Sequence, residues 1–256
     1  MLKKRIIPVL LWNGSTLVKG QNFINKRKAG SAIATIKIYI SRDVDEIFFF
    51  DISNTNSTSV DQDFIKSITD LVNVPITIGG GIKSIEQMDI LFKSGADKIC
   101  FNSSAFQNPE LINEAAKKFG SQAITVSIDV KKIKGEYVCF KNNGNLNANK
   151  KFLPWLKECA DRGAGEILIN SIDHDGLMQG YDYELIKLAV KTSNVPIVAN
   201  GGAGNYEHFY KAHLSGASAF AASSIYHFAN FTPAEAKKYL TERKVNVRKN
   251  FWFLNK

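Results

Sequence analysis

The chain of 256 residues is long enough to bury one large core, and 45% hydrophobic against 22% charged residues is a globular balance that excludes disorder. Its formal charge of +9 is spread along the chain, clustering only at Lys26-Arg27-Lys28 and Lys131-Lys132 without interleaved aromatics, so an anionic small substrate or an acidic protein partner is expected and nucleic acid is not. Three widely spaced cysteines, Cys100, Cys139 and Cys159, suit neither a disulfide framework nor a zinc site and are expected to be reduced core residues.

The basic start Met1–Arg5 runs into Pro8 and Trp12-Asn13-Gly14 too soon for a signal peptide. No run elsewhere approaches the roughly 18 apolar residues of a membrane span, so a cytoplasmic location is expected. Apolar runs predict strands near 5–11, 46–51, 75–79, 97–102, 124–129, 166–171, 195–200 and 218–223. Helix-length stretches lie between them, among them Ser84–Lys93, Pro109–Phe119, Leu153–Arg162 and Tyr183–Thr192. Strands that are apolar throughout and alternate with helices predict an α/β fold, a closed (β/α)8 TIM barrel filling residues 1–256 as a single domain. An open doubly wound sheet is the alternative, but its glycine-rich fingerprint after the first strand is missing.

Within this frame the loop Lys19-Gly20-Gln21-Asn22-Phe23, with Lys26-Arg27-Lys28 beyond it, is expected to be a lid over an anionic substrate, with Lys19 its best-placed cation. Ser53–Ser59 is read as a flexible connection without a role. The tail Phe251-Trp252-Phe253-Leu254 is expected to pack on the barrel exterior.

Three segments repeat in one order at a near-constant offset of about 120 residues. Val74-Pro75-Ile76-Thr77-Ile78-Gly79-Gly80-Gly81 answers Val195-Pro196-Ile197-Val198-Ala199-Asn200-Gly201-Gly202. Ser94-Gly95-Ala96 answers Ser215-Gly216-Ala217, and Glu46-Ile47 answers Glu166-Ile167. The chain therefore reads as two fused half-barrels, about 1–120 and 121–240.

Barrel chemistry sits at the C-terminal ends of the strands, a position that collects Asp51, Asn102, Asp129, Ser171, Asp173, Asp175 and Asn200. The two glycine runs, each followed by a strand ending near Asn102-Ser103 or Ser223-Ser224, form two candidate phosphate sites. As a single copy such a run would equally be a tight turn; two copies at one offset favour a substrate with a phosphate at each end. Asp129 ends the fifth strand, where partial desolvation suits a carboxyl group to general acid–base work. The duplication places a counterpart at the end of the first strand, and the residue there is Leu11, which cannot transfer a proton. At the strand starts, Arg5, Glu46, Lys98 and Glu166 bring together two charges of each sign, as a stabilising network or as a gate on the barrel axis. His174 has no second histidine at ligand spacing, so neither a metal nor a cofactor is expected.

Together these residues closely resemble the cyclase subunit of imidazole glycerol phosphate synthase, the HisF family. The resemblance runs from Lys4-Arg5-Ile6-Ile7-Pro8 through Val18-Lys19-Gly20, Gly95-Ala96-Asp97-Lys98 and Ser171-Ile172-Asp173-His174-Asp175-Gly176 to Val245-Asn246-Val247-Arg248. It implies a barrel that docks a HisH-like glutaminase at its bottom face, with ammonia passing a salt-bridge gate matched by Arg5, Glu46, Lys98 and Glu166. It implies phosphate contacts at Gly81, Asn102 and Ser103 on one side and at Asp175, Gly176, Gly202, Ser223 and Ser224 on the other, with Asp51 and Lys19 also at the substrate. Asp129 matches one of two catalytic aspartates; Leu11 stands where the family has the other. An intact gate with a lost aspartate is similar to HisF-like paralogues that pass ammonia to an ATP-dependent amidotransferase building acetamidino groups on surface sugars. A true cyclase of histidine biosynthesis is the alternative, and a non-enzymatic sugar-phosphate-binding scaffold is a third reading.

Overall fold

The computed structural model describes residues 3–53 and 61–248. The expectations for Asn54–Ser59 and for the Phe251–Leu254 tail lie outside the described residues. The strands are β1 (Arg5–Trp12), β2 (Leu17–Gln21), β3 (Ile24–Gly30), β4 (Ile47–Asp51), β5 (Ile76–Gly79), β6 (Lys98–Phe101), β7 (Ile124–Ile133), β8 (Glu136–Lys141), β9 (Leu146–Lys151), β10 (Glu166–Ser171), β11 (Ile197–Asn200) and β12 (Ala219–Ala222). The helices are α1 (Ala32–Ser41), α2 (Gln62–Thr69), α3 (Ile85–Lys93), α4 (Ser103–Gln107), α5 (Glu110–Phe119), α6 (Phe152–Asp161), α7 (Tyr183–Thr192), α8 (Tyr206–Leu214), α9 (Ser224–Phe228) and α10 (Pro233–Glu242).

Parallel pairing runs in the order β10-β11-β12-β1-β4-β5-β6-β7, and β7 pairs back to β10, which closes the (β/α)8 barrel. Each expected barrel strand is present within two residues of its expected ends, apart from β7, which runs on to Ile133. Helix starts are set by side-chain caps: Asp61, Ser84, Asp182, Asn205 and Thr232 each accept a hydrogen bond from the backbone N–H three residues on. Such caps satisfy amides that the first turn leaves without partners.

The strand pleat sorts side chains into two cores. Ile6, Leu10, Ile47, Phe49, Ile76, Ile78, Ile167 and Ile169 belong to the large cluster shared with the helices. Residues of the opposite parity, Ile7, Val9, Phe48, Cys100, Leu168, Val198, Ala219 and Ala221, form a second cluster that fills the barrel interior. All three cysteines are buried and free.

The loop after β1 is built as two strands. It is the antiparallel hairpin β2–β3, paired from Leu17 opposite Gly30 to Gln21 opposite Ile24. A second hairpin, β8–β9, extends the end of β7, and neither was expected from the sequence. Both rise beside the mouth, because β2 continues from β1 and β8 from the C-terminal part of β7.

Candidate functional site

The C-terminal ends of the barrel strands surround a cavity of about 370 Å³, lined among others by Leu11, Lys19, Asp51, Gly81, Asn102, Ser103, Asp129, Asn170, Asp175, Asn200 and Ser223. Of the expected mouth residues, Ser171, Asp173, Gly176, Gly202 and Ser224 are not on its lining. Gly176 and Gly202 are held in close backbone packing. A Cβ on Gly176 (φ 76°) would sit 2.2 Å from the Gly20 carbonyl oxygen, and one on Gly202 (φ 113°) 2.0 Å from that of Gly180. Only glycine fits either place. Ser224 is buried at the start of α9, and its hydroxyl and that of Ser223 have no hydrogen-bond partner. The short helices α4 and α9 thus begin at corresponding places, after β6 and β12, with Asn102-Ser103 and Ser223-Ser224 at their N-termini. Their first-turn amides point where an anion is favoured.

Asp129 is 5% exposed and anchored by amides: Asn170 Nδ2 donates to Oδ1 at 2.6 Å and Asn102 Nδ2 to Oδ2 at 2.8 Å. Burial pushes its proton affinity up to about 7, against those two hydrogen bonds, which favour the ionised form. That places it among groups able to take and return a proton near neutrality. Leu11 also faces the cavity, and β1 stands four strands from β7 in either direction around the closed barrel, so Leu11 and Asp129 lie on opposite walls.

The hairpin β2–β3 is clamped over one side of the mouth. Lys19, 3% exposed, ion-pairs with Asp175 at 2.5 Å, the Asn22 backbone N–H donates to the Asp175 carbonyl at 2.8 Å, and the Asn22 carboxamide donates to the carbonyls of Ile172 and Asp173. The Arg27 guanidinium stacks 3.5 Å from the centre of the Phe228 ring. Lys19 thus lines the cavity and is at the same time paired with Asp175. The second hairpin covers the other side, where the Asn142 backbone N–H donates to Ser103 Oγ at 2.9 Å.

At the opposite end, Arg5, Glu46, Lys98 and Glu166 close a four-membered ring. Arg5 bonds both carboxylates, and Lys98 Nζ lies 3.0 Å from Glu46 Oε1 and 3.4 Å from Glu166 Oε2. Glu46, 1% exposed, also accepts from Thr77 Oγ1 at 2.8 Å. Each buried carboxylate has two half-buried cations beside it, the condition under which ion pairs survive desolvation. The interior cluster around Phe48, Leu168 and Val198 separates this ring from the mouth.

Three residues of the mouth were missed. Asn170 and Ser127 bond each other at 2.9 Å, and Asn142 with its hairpin was not foreseen. The first two carried a signal: counted by twos from Glu166 and back from Asp129, Asn170 and Ser127 point into the barrel. His174 Nδ1 lies 2.9 Å from Ser171 Oγ, outside the cavity lining. Among the described residues no group of three His, Cys, Asp or Glu side chains could hold a metal, and no helix is long and apolar enough to cross a membrane.

Fold and site define a class: a (β/α)8 barrel with a carboxylate-bearing cavity at its strand C-termini and a closed ring of alternating charges at its other end. A profile of the family described as histidine biosynthesis protein matches residues 5–232, and the chain belongs to that family as a HisF-like member. It is 45% identical over 252 residues to imidazole glycerol phosphate synthase subunit HisF of Dictyoglomus turgidum, covering 97% of this chain and 99% of that one. The protein of the same name from Chlorobaculum tepidum is 42% identical, covering 97% and 100%, and that of Thermotoga sp. strain RQ2 is 41% identical, covering 97% and 98%.

Proposed function

We propose that this chain is the barrel subunit of a glutamine amidotransferase assembly. Ammonia released by a HisH-like glutaminase on the Arg5–Glu46–Lys98–Glu166 face passes along the barrel axis to the mouth. There it meets a phosphorylated acceptor, or leaves for an ATP-dependent amidotransferase that builds an acetamidino group on a surface sugar. The observation that carries this reading is Leu11 on the mouth wall opposite Asp129, in a barrel whose charged ring at the other end is complete. Cyclisation needs one group to remove a proton and another to supply one, and each such group is worth ~10²–10⁴-fold in rate. With leucine on one wall, Asp129 alone supports delivery and single proton transfer better than ring closure. Glycine turns, unpartnered Ser223 and Ser224 hydroxyls and the two helix N-termini support a phosphorylated ligand.

A second reading, the cyclase of histidine biosynthesis, is favoured by Asp129's proton affinity near neutrality and by the name its relatives carry. One assay separates the two. The native chain and Leu11→Asp are given the bisphosphorylated aminoimidazole carboxamide ribonucleotide with excess ammonium, and formation of imidazole glycerol phosphate is followed. Turnover by Leu11→Asp at least ~10²-fold above the native chain supports the delivery reading. Equal turnover sinks it in favour of the cyclase. Failure of the native chain to bind any HisH-like glutaminase removes the main support of the delivery reading.

A further inference from the structure

Asn170 uses its whole carboxamide inside the wall of the mouth. Its Nδ2 donates to Asp129 Oδ1 at 2.6 Å and to Ser127 Oγ at 2.9 Å, while its Oδ1 accepts from Asn200 Nδ2 at 2.6 Å. An amide NH2 can only donate and an ionised carboxylate can only accept, so the run Asn200→Asn170→Asp129 has one direction. Asn200 settles which end of the Asn170 carboxamide is oxygen, and Asp129 receives the nitrogen.

The other carboxylate oxygen is held differently. Asn102 Nδ2 reaches Asp129 Oδ2 at 2.8 Å and the Phe140 carbonyl at 3.3 Å, and among the described residues its own Oδ1 is buried without a hydrogen-bond partner. One arm on Asp129 is therefore braced by two neighbours and the other has a vacant acceptor beside it. We infer that Asn170 is the positioning residue for Asp129: oriented by Asn200 and Ser127, it pins Oδ1 and leaves Oδ2, on the Asn102 side, as the edge that exchanges a proton with the ligand.

Among the described residues, the titratable groups facing Asp129 are the Cys100 thiol from β6, the Cys139 thiol from β8 and Asp175 from the loop after β10. Burial keeps both thiols protonated, and Asp175 already has Lys19. No cation stands among these groups, so the ionised carboxylate depends on its amides, with Asn170 contributing more than Asn102. The chemical task given to Asp129 rests on the function proposed above; its positioning does not.

The test is a titration of the full chain, labelled with ¹³C at aspartate side-chain carbons, the Asp129 signal being assigned by its loss in Asp129→Asn. The native midpoint is expected near 7. Asn170→Leu is expected to raise it by about one unit or more, a tenfold tighter proton, and Asn200→Ala to raise it in the same sense by less. Asn102→Ala is expected to move it less than Asn170→Leu. The inference is overturned if Asn170→Leu and Asn200→Ala both titrate within about 0.3 unit of the native chain, or if Asn102→Ala produces the larger shift. These shifts are read without any acceptor. Shifted midpoints in a chain that delivers no ammonia would refute the proposed function alone, and ammonia delivery with unmoved midpoints would refute only the role of Asn170.

Discussion

A carboxyl group whose proton affinity rises on folding leaves a pH signature on stability, and Asp129 gives one large enough to isolate. Burial takes it from 3.8 to about 7. Below 3.8 the group is protonated in both states and folding carries no penalty. As pH rises the unfolded chain loses the proton first, so native stability falls through the interval up to about 7 and levels off above it. A shift of about three units at 1.36 kcal/mol each corresponds to about 4 kcal/mol in full, of which about 3 kcal/mol accrues between pH 5 and pH 8. Asp129→Asn cannot ionise. Its NH2 would meet one of the amide donors of Asn170 or Asn102, a cost that does not depend on pH. Urea unfolding of native chain and variant across this range, with matching denaturant slopes, therefore isolates the linkage in the difference between the two curves. The native chain is expected to lose about 3 kcal/mol relative to Asp129→Asn on going from pH 5 to pH 8. A difference that stays constant across that interval would refute the assignment of a buried carboxyl group with raised proton affinity at the mouth.

Replacing Lys19 by methionine leaves the buried Asp175 carboxylate uncompensated and should cost about 3–5 kcal/mol, with faster tryptic cleavage at Lys26-Arg27-Lys28 as the hairpin comes off the mouth; unchanged cleavage would show that the ion pair does not hold it. Glu46→Gln leaves Arg5 and Lys98 sharing one carboxylate and should lower stability by a similar ~3–5 kcal/mol, read from the urea midpoint. Cys100, Cys139 and Cys159 should be inert to a thiol reagent in the native chain and all react after denaturation, because burial both shields them and keeps them protonated.

The barrel was legible because its strands are short apolar runs broken by glycine or proline, and because the repeat fixes their order before any strand is paired. The charged ring was legible for a related reason: Arg5, Lys98 and Glu166 open their strands and Glu46 directly precedes β4, so one topological rule puts all four at the same end. The hairpins were not. In β3 nearly every side chain is exposed and four of seven positions are Asn, Lys or Arg, so no alternation marks it as a strand. Its turn also places Asn22, Phe23 and Asn25 at positive φ, a conformation that phenylalanine rarely signals. The second hairpin could have been found, since Lys134-Gly135 and Asn142-Asn143-Gly144 are turn sequences and occupy positive φ in the structure.

The mouth shows why position alone could find Asp129 but not its surroundings. A carboxylate at a strand's C-terminal end draws attention, whereas Asn170 and Ser127 are ordinary polar residues inside otherwise apolar runs and acquire meaning only when the strand's parity is counted from a charged neighbour. The same count applied to β1 turns Arg5, Ile7, Val9 and Leu11 inward, so the first strand presents an unbroken apolar wall from the ring to the mouth. Opposite it, β7 presents Thr125, Ser127 and Asp129, which are polar at every inward position. A small neutral molecule crossing between these walls would be solvated on one side only, by hydroxyls that end at a carboxylate. An aspartate in place of Leu11 would add a second polar terminus, and that is the difference the Leu11→Asp comparison proposed above reads.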